Sequence, residues 1–115
     1  MIDGNCEIFV SDCQVRAAVE LISHVWDPVV LSALRLGPTR RSELLQRIAG
    51  LSDKALTESL RRMSSRGLIA RTADDARRDV AVYELTELGV SFANGPLSQL
   101  AEWAGENQDA LSAVS

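Results

Sequence analysis

Apolar side chains recur at helical spacing near the beginning of the chain. Four of them, spaced i, i+3, i+4 and i+7 between Val15 and Ile22, would line one face of a helix. Ser11 is followed three residues later by Gln14, a capping-box pattern that marks the start of a helix. The two signals together predict a first helix over about residues 12–23.

Two short helices are predicted next. Asp27 followed by Pro28 is the pattern of an N-cap and a first helical position, and we expect this second helix to end at Gly37. A third short helix is predicted from about Arg41 to Ile48, with Leu44, Leu45 and Ile48 as its buried residues.

A fourth helix follows after a turn of about four residues that contains glycine. Ser52 is its predicted N-cap, and Leu56, Leu60 and Met63 are its apolar stripe. Gly67 is expected to end it, with the next residue folding back onto Met63 as in a Schellman motif. Two helices joined in this way are the signature of a helix-turn-helix.

The hydrophobic period then changes from 3.6 to 2, which predicts strands over residues 68–72 and 80–85 with a charged loop between them. Thr86 is expected to cap a further helix, which the Asn94-Gly95-Pro96 break ends or kinks. The predicted fold is therefore mainly α with a small β-hairpin wing: a winged helix-turn-helix with extra N- and C-terminal helices for dimerisation.

Three regions follow from this pattern. Residues 1–11 are expected to form an N-terminal arm, residues 12–103 the winged helix-turn-helix domain with its dimerisation helices, and residues 104–115 a C-terminal tail. The length of 115 residues fits one domain.

Composition narrows the class of protein. Apolar residues make up 46% of the chain and charged residues 24%, as in an ordinary globular protein. No apolar run reaches the roughly 18 residues of a membrane span, and the N-terminus has no signal-peptide pattern, so we expect a cytoplasmic protein without a membrane partner. Five aromatic residues are too few to favour a stacking platform for single-stranded nucleic acid.

The charge is distributed unevenly. The whole chain carries a formal net charge of −4, but residues 39–78 hold ten basic and five acidic side chains, a local net charge of +5. Phosphate contacts respond to charge within a Debye length of about 10 Å rather than to the total. The segment coincides with the predicted helix-turn-helix, which favours double-stranded DNA as the partner. The alternative is a scattered set of solvated arginines.

The predicted DNA-contacting residues come from three places: the start of the third helix, the fourth helix and the loop between the strands. They are Arg40, Arg41, Ser42, Ser52, Lys54, Thr57, Glu58, Arg61, Arg62, Arg77 and Arg78. An α-helix fits the major groove, where Thr57, Glu58 and Arg61 are placed to read base edges. Lys54 and Arg62 are expected to hold phosphates.

The remaining predicted contacts lie at the start of the third helix and in the loop between the strands. The backbone N–H groups at the start of the third helix would attract a phosphate near Arg40, Arg41 and Ser42. Arg77 and Arg78 would reach the flanking minor groove or the backbone, although three aspartates in the same loop oppose this. For Glu58 the alternative is an exposed salt bridge with Arg61 or Arg62.

The pattern GLSxKxLTxxLxxMxxxGLxxR, which runs from Gly50 to Arg71, resembles the HxlR-type helix-turn-helix regulators of bacteria. The pattern YxLTxxG from Tyr83, together with Trp26 and Trp103, fits the same family. The chain differs from the family in its wing and at Arg41, where phenylalanine is usual. The resemblance implies a homodimeric transcription factor, most often a repressor, that binds an inverted-repeat operator through the fourth helix and pairs through its terminal helices.

The residues expected at the dimer interface are Val15, Val19, Leu97, Leu100 and Trp103. The alternative for the last helix is packing on its own core.

Two cysteines raise the question of redox control. Cys13 falls where family members often place a cysteine that senses oxidants or electrophiles, and Cys6 precedes it by seven residues. A helix N-terminus would favour the Cys13 thiolate, whereas Asp12 opposes it. The pair would form an intrachain or intersubunit disulfide, or remain as two reduced thiols.

Other functions are less well supported. The sequence contains no phosphate-binding loop and no metal-ligand spacing, so we predict no catalytic residue, no metal site and no cofactor. The main alternatives to a thiol-controlled DNA regulator are a winged-helix protein-interaction module and a regulator controlled by a small-molecule effector. Trp26, Phe92 and Trp103 would line such a ligand's pocket, or belong to the core.

Overall fold

The computed structural model describes residues 10–114, with side chains from residue 13 to residue 112. The helices are α1 (Val10–Leu21), α2 (Trp26–Ala33), α3 (Arg41–Arg47), α4 (Asp53–Ser65), α5 (Glu87–Phe92), α6 (Ser98–Glu106) and α7 (Gln108–Val114). The strands are β1 (Thr39–Arg40), β2 (Ile69–Ala73) and β3 (Ala81–Leu85). This is the predicted winged helix-turn-helix architecture, mostly helical with one small sheet.

The core forms where α2, α3 and α4 meet beneath the sheet. Val30 and Leu31 of α2, Leu44 of α3, and Leu56 and Met63 of α4 are almost fully buried. Burial of a side chain of this size stabilises the fold by about 1.5–3 kcal/mol, so these few residues fix how the three helices pack. They also fix which face of α4 points outward.

The ends of α4 are formed as the sequence predicts. Ser52 is the N-cap, and its Oγ accepts a hydrogen bond from the Ala55 N–H at 3.0 Å. At the other end Gly67 has φ 76°, and the Leu68 N–H donates to the Met63 carbonyl at 3.0 Å. This is the predicted Schellman motif, whose positive φ suits glycine.

The sheet has three antiparallel strands in the order β1-β3-β2. The two predicted strands are confirmed, with Ile69 opposite Leu85 and Arg71 opposite Tyr83. The sequence analysis missed β1, because two residues are too short to establish a period of 2. Thr39 nevertheless pairs with Tyr83 and ties the start of α3 to the wing.

The helix after β3 begins as predicted. Thr86 is the N-cap, and its Oγ1 accepts from the Gly89 N–H at 3.1 Å while its hydroxyl donates to the Gly67 carbonyl at 2.6 Å. Position 89 must be glycine, because a Cβ there would lie 2.0 Å from the Leu68 carbonyl oxygen. This contact seats α5 against the end of α4.

The predicted start of the second helix is wrong. The helix begins at Trp26, after Val25, so Asp27 lies in the first turn rather than at the N-cap. Its side chain is 1% exposed, and it turns inward to partners on α4 instead of satisfying its own helix. The predicted cap of the first helix is also wrong, because α1 begins at Val10, before Ser11.

The C-terminal region has two features that the sequence did not specify. The Asn94-Gly95-Pro96 break is a single π-helical turn over Ala93–Leu97, which joins α5 to α6. Where a tail was expected from residue 104, helix continues through α6 and α7 to Val114. The arm predicted over residues 1–11 lies almost wholly outside the described residues.

Within residues 10–114, no single helix is both long enough and apolar enough to cross a membrane. Residues Cys13–Leu21 and Trp26–Leu36 reach that length and composition only together, and they are bent by 67° relative to each other.

Candidate nucleic-acid interface

Helix α4 has one buried face and one outward polar face. Leu56, Ser59, Leu60 and Met63 point into the protein. The outward face carries Lys54, Glu58 and Arg61, which are all exposed. One flank of α4 faces α1 and α2, and the other faces the β-hairpin.

The side chains of the outward face are available to a partner. Among the described residues, Lys54, Glu58 and Arg61 have no hydrogen-bonded or ion-paired partner. The salt bridge considered for Glu58 with Arg61 or Arg62 is therefore not formed. A helix face with two cations and one carboxylate matches the donors and acceptors that base edges and phosphates require.

Thr57 lies beside this face and is already hydrogen-bonded. Its hydroxyl donates to the Asp53 carbonyl at 3.0 Å and accepts from Arg41 Nη2 at 2.7 Å. Arg41 also forms an ion pair with Asp53 Oδ1 at 2.7 Å, so it links the start of α3 to the start of α4. Arg41 thus holds the two helices of the helix-turn-helix together, and the carboxylate partly offsets its charge.

Arg62, where a phosphate contact was expected, binds a residue of its own chain. Its guanidinium makes a two-pronged contact with Asp27, with Nε to Oδ2 at 3.0 Å and Nη2 to Oδ1 at 2.8 Å. The Ser59 hydroxyl donates to the same carboxylate at 2.7 Å. A buried carboxylate without such donors would be costly, and this pairing commits Arg62 to α2.

The same contacts shift the titration of Asp27. Burial alone would raise the pKa of its carboxyl, but the hydrogen bonds from Arg62 and Ser59 outweigh burial and hold the pKa below its usual range. The paired carboxylate in turn raises the pKa of the Arg62 guanidinium. Asp27 is therefore ionised at neutral pH, although it is almost fully buried.

Arg66, one turn further along α4, is also used internally. Its Nη1 donates to the Glu20 carbonyl at 2.9 Å, near the end of α1. The unpaired carbonyls at a helix C-terminus favour a cation, which explains the position of this side chain. Arg62 and the C-cap residue Arg66 thus attach the flank of α4 that faces α1 and α2, which we call the inner flank, to those two helices.

At the start of α3 the expected phosphate site is partly occupied by carboxylates. Glu43 Oε1 accepts from the Arg40 backbone N–H at 2.9 Å, and Asp74 Oδ2 accepts from Arg40 Nε at 2.7 Å. The Ala76 backbone N–H and Arg40 hold the pKa of the Asp74 carboxyl below its ordinary value. Ser42 remains exposed beside them.

The two arginines of the wing loop differ from each other. Arg77 forms an ion pair with Asp79 at 3.2 Å. Arg78 is exposed and has no partner among the described residues. Among the described residues, Arg78 is therefore the arginine of this loop that has no acidic partner.

The ten basic residues of the predicted +5 segment fall into two groups. Six bind acceptors in their own chain: Arg40, Arg41, Arg47, Arg62, Arg66 and Arg77. Four have no such partner among the described residues: Lys54, Arg61, Arg71 and Arg78. Arg61, Arg71 and Arg78 of the second group lie along one line, from α4 across β2 to the wing.

A cleft joins α4 to the β-hairpin on this line. Its volume is about 210 Å³, and it is lined by Arg41, Arg61, Arg71, Ser64 and Tyr83 together with Thr57. We call it the basic cleft. Arg71 extends from it into a second cleft shared with Arg78.

The sequence analysis counted Arg71 in the basic segment but did not assign it to the interface. The predicted strand register could have assigned Arg71 to the interface. Pairing the two predicted strands places Arg71 opposite Tyr83 and on the side of the hairpin that meets α4.

Comparison with known proteins agrees with this geometry. A model of the HxlR-like helix-turn-helix family matches residues 21–112, which is most of the chain. The chain belongs to this family. The HTH-type transcriptional regulator YtfH of Escherichia coli (strain K12) is 31% identical over 112 residues, which cover 97% of this chain and 86% of YtfH. This HxlR-like chain is therefore a transcriptional regulator of the helix-turn-helix type, and its relatives are regulators rather than enzymes.

Solved structures give the same fold for this HxlR-like chain. YtfH from Salmonella typhimurium superposes with a TM-score of 0.71 at 29% identity, covering 86% of this chain and 88% of that one. Quinone-bound YodB from Bacillus subtilis superposes with a TM-score of 0.68, covering 81% of this chain and 97% of that one. At 24% identity, the likeness to YodB concerns the fold alone.

The residues expected at a dimer interface are mostly exposed. Val15 and Val19 of α1 are more than half exposed, as is Trp103 of α6, and Leu100 is 46% exposed. Leu97 is different, because it is 7% exposed and belongs to the core. Its expected interface role is therefore corrected: the π-helical turn points Leu97 inward.

The structure describes residues on which the thiol and ligand hypotheses depend. Cys13 is disulfide-bonded rather than a free thiol, and Cys6 lies outside the described residues. Trp26 and Phe92 pack against the core, whereas Trp103 is largely exposed. No group of three or more potential metal ligands occurs within the part of the chain that the structure describes.

Proposed function

We propose that this chain binds double-stranded DNA sequence-specifically, as a homodimeric repressor acting on an inverted-repeat operator in the cytoplasm. The outward face of α4 supports this most strongly, because Lys54, Glu58 and Arg61 are exposed and have no hydrogen-bonded or ion-paired partner among the described residues. The opposite face of α4 is buried, so this surface is held rigidly toward a partner.

Within this proposal α4 enters the major groove. Arg61 donates to guanine, Glu58 accepts from cytosine N4, and the Thr57 methyl contacts thymine. Lys54 contacts a phosphate, and Ser42 and Ser52 lie at the helix starts that flank the groove. Each good two-pronged base contact contributes about 1–3 kcal/mol of discrimination.

The wing contributes through a single residue in this account. Arg78 contacts the flanking backbone or minor groove, because its charge is not offset by a partner among the described residues. Arg77 contributes less, since Asp79 neutralises it.

Dimerisation is supported by the exposed apolar side chains of α1 and α6. Four apolar side chains stay accessible in the single chain: Val15, Val19, Leu100 and Trp103. Their burial between two copies would offset the free-energy cost of association. We expect Trp103→Glu to convert the dimer to a monomer in size-exclusion chromatography with light scattering. Leu36→Glu, at an apolar residue 78% exposed on another element, is the matched control. A wild-type monomer would contradict the proposal.

Control by oxidants or electrophiles is the proposed input. Cys13 is disulfide-bonded in α1, the helix we assign to dimerisation, and YodB has been solved with a bound quinone. Reduction of the disulfide should change DNA binding by the wild type, and diamide added to the reduced protein should reverse the change, whereas neither treatment should affect Cys13→Ser. If both variants respond alike, Cys13 is not the switch; the same comparison with Cys6→Ser identifies its partner.

A regulator controlled by a small-molecule ligand without thiol sensing is the second candidate. A cavity of about 100 Å³ lies between α1 and the α5–α6 region, lined by Ala18, Ile22, Phe92, Pro96 and Leu100 together with Leu97. A small apolar ligand bound there would contact α1, the helix assigned to dimerisation. A response to such a ligand that persists in Cys13→Ser would favour this candidate.

Selection of bound fragments from genomic DNA tests the proposed function as a whole. We expect enrichment of sequences with two half-sites about one or two helical turns apart. Arg61→Ala should lower affinity for the selected site more than for a scrambled one. Selection that enriches no sequence would favour the remaining alternative, a winged-helix protein-interaction module, for which the acidic net charge of −4 leaves room.

A further inference from the structure

We propose that the basic cleft binds a phosphate group, with Arg71 and Tyr83 as its principal ligands. The inference rests on the proposed DNA-binding function and extends it to residues of the hairpin. The phosphate is either one group of the DNA backbone or that of a free phosphorylated small molecule.

The sheet register places the two ligands together. Arg71 on β2 lies directly opposite Tyr83 on β3, and two residues further along the strands Ile69 lies opposite Leu85. Alternate residues share a face, so Arg71 continues the row whose inner members pack on the core. Where the core ends, this row meets α4 at Ser64 and Arg61.

The charges in the cleft are not balanced within the chain. Arg41 is opposed by Asp53, but neither Arg61 nor Arg71 has an acidic partner among the described residues. Two uncompensated guanidinium groups lining one small cleft repel each other, and a bound anion relieves this repulsion. A concave surface lined by one sign of charge also raises the local concentration of the opposite ion.

The opposite face of the hairpin lacks this imbalance. The cleft there, of about 450 Å³, is lined by four acidic residues and one arginine: Glu43, Asp74, Asp75, Glu84 and Arg40. Arg40 is paired with Asp74. An anion approaching the wing is therefore attracted to one face of the sheet and repelled from the other.

The donors present suit a phosphate group in particular. A guanidinium fork matches two phosphate oxygens, and the hydroxyls of Tyr83 and Ser64 offer further donors. The Thr57 hydroxyl is not one of them, because it already donates to the Asp53 carbonyl. Arg41 also lines the cleft, and its contacts with Asp53 and Thr57 hold it in a fixed position.

The first arm of the test uses a random-sequence DNA duplex and measures binding across a range of salt concentrations. Arg71→Ala should reduce the magnitude of the log–log salt slope by about 0.9. Arg71→Lys should retain the slope, because it keeps the charge. Arg35→Ala is the control for net charge, since Arg35 binds Asn94 away from the cleft and its removal should leave the slope unchanged.

The second arm needs no DNA. Inorganic phosphate, added at constant ionic strength in exchange for chloride, should raise the Tm of the wild type and of Arg35→Ala. It should raise the Tm of Arg71→Ala and of Tyr83→Phe by a smaller amount. This arm tests whether the cleft binds phosphate even if the wild type binds no DNA. In that case the proposed function is wrong, whatever the result for the cleft.

The outcomes separate the two sources of phosphate. A reduced slope in Arg71→Ala identifies the DNA backbone. An unchanged slope with phosphate stabilisation that depends on Arg71 identifies a free phosphate and supports the proposal in that form. If the salt slope and the phosphate-induced Tm shift are both the same in Arg71→Ala as in the wild type, the proposal is wrong.

Discussion

Arginines lie on both sides of α4 and have opposite roles. On the flank facing α1 and α2, Arg62 and Arg66 bind Asp27 and the Glu20 carbonyl. On the outward face of α4 and on the adjoining strand β2, Arg61 and Arg71 have no hydrogen-bonded or ion-paired partner among the described residues. Arg61 and Arg62 are neighbours in sequence, but a helix turns by about 100° per residue and so separates their roles.

The comparison shows that positive charge in the sequence is not the same as positive charge available to DNA. A buried carboxylate needs donors, and Asp27 obtains two of them from Arg62. A helix C-terminus favours a cation, and Arg66 occupies that position for α1. The arginines on one side of α4 are therefore bound to acceptors in their own chain, while those on the other side stay accessible to a partner.

The largest expected effect comes from breaking the inner flank. Asp27→Ala should lower the free energy of unfolding by about 3 kcal/mol, because Arg62 and Ser59 both lose their acceptor. This loss of stability lies at the low end of the range for a broken buried ion pair, because the Arg62 side chain is 27% exposed and can be hydrated once Asp27 is removed. Asp53→Ala, at an exposed pair, should cost about 1 kcal/mol or less. Urea denaturation measures both, and equal losses would contradict the asymmetry.

A smaller effect is expected from pH. The pKa of Asp27 is lower in the folded state than in the unfolded chain, so its contribution to stability is complete above the unfolded pKa of about 4. The contribution is lost as the pH falls through the lower folded value. The stability difference between wild type and Asp27→Asn should therefore shrink below about pH 4. A difference that grows on acidification would mean that the pKa is raised instead.

The smallest effect is expected at the wing. Arg78→Ala should weaken binding to DNA of any sequence by about tenfold or less and reduce the salt slope by about one phosphate contact. Arg77→Ala should leave the salt slope unchanged and weaken binding less, because Arg77 pairs with Asp79 rather than with a phosphate. Fluorescence anisotropy with a labelled duplex measures both variants, and identical losses would show that the ion pair opens on DNA.

Local signals in the sequence predicted most of the fold. The caps at Ser52 and Thr86, the Schellman turn at Gly67 and the change of period into the hairpin are each encoded within a few neighbouring residues. The resemblance supplied the family. The π-helical turn at Pro96 and the inward position of Leu97 required the packing of the whole chain.

The site was harder to predict than the fold, because its decisive contacts join distant residues. Asp27 and Arg62 are 35 positions apart, and Arg40 and Asp74 are 34 apart. Sequence reasoning assigned Asp27 to a local N-cap and Arg62 to a phosphate, which are the nearest explanations available to each. Neither assignment reveals that the two side chains satisfy each other.

The most direct test of the account compares Arg61→Gln with Arg62→Gln, two matched changes at adjacent positions. Binding to the DNA site enriched by selection should weaken by about 1–3 kcal/mol for Arg61→Gln and keep the wild-type affinity for Arg62→Gln, provided circular dichroism shows both variants folded. Equal reductions in the two variants would contradict the claim that the inner flank of α4 is closed to DNA.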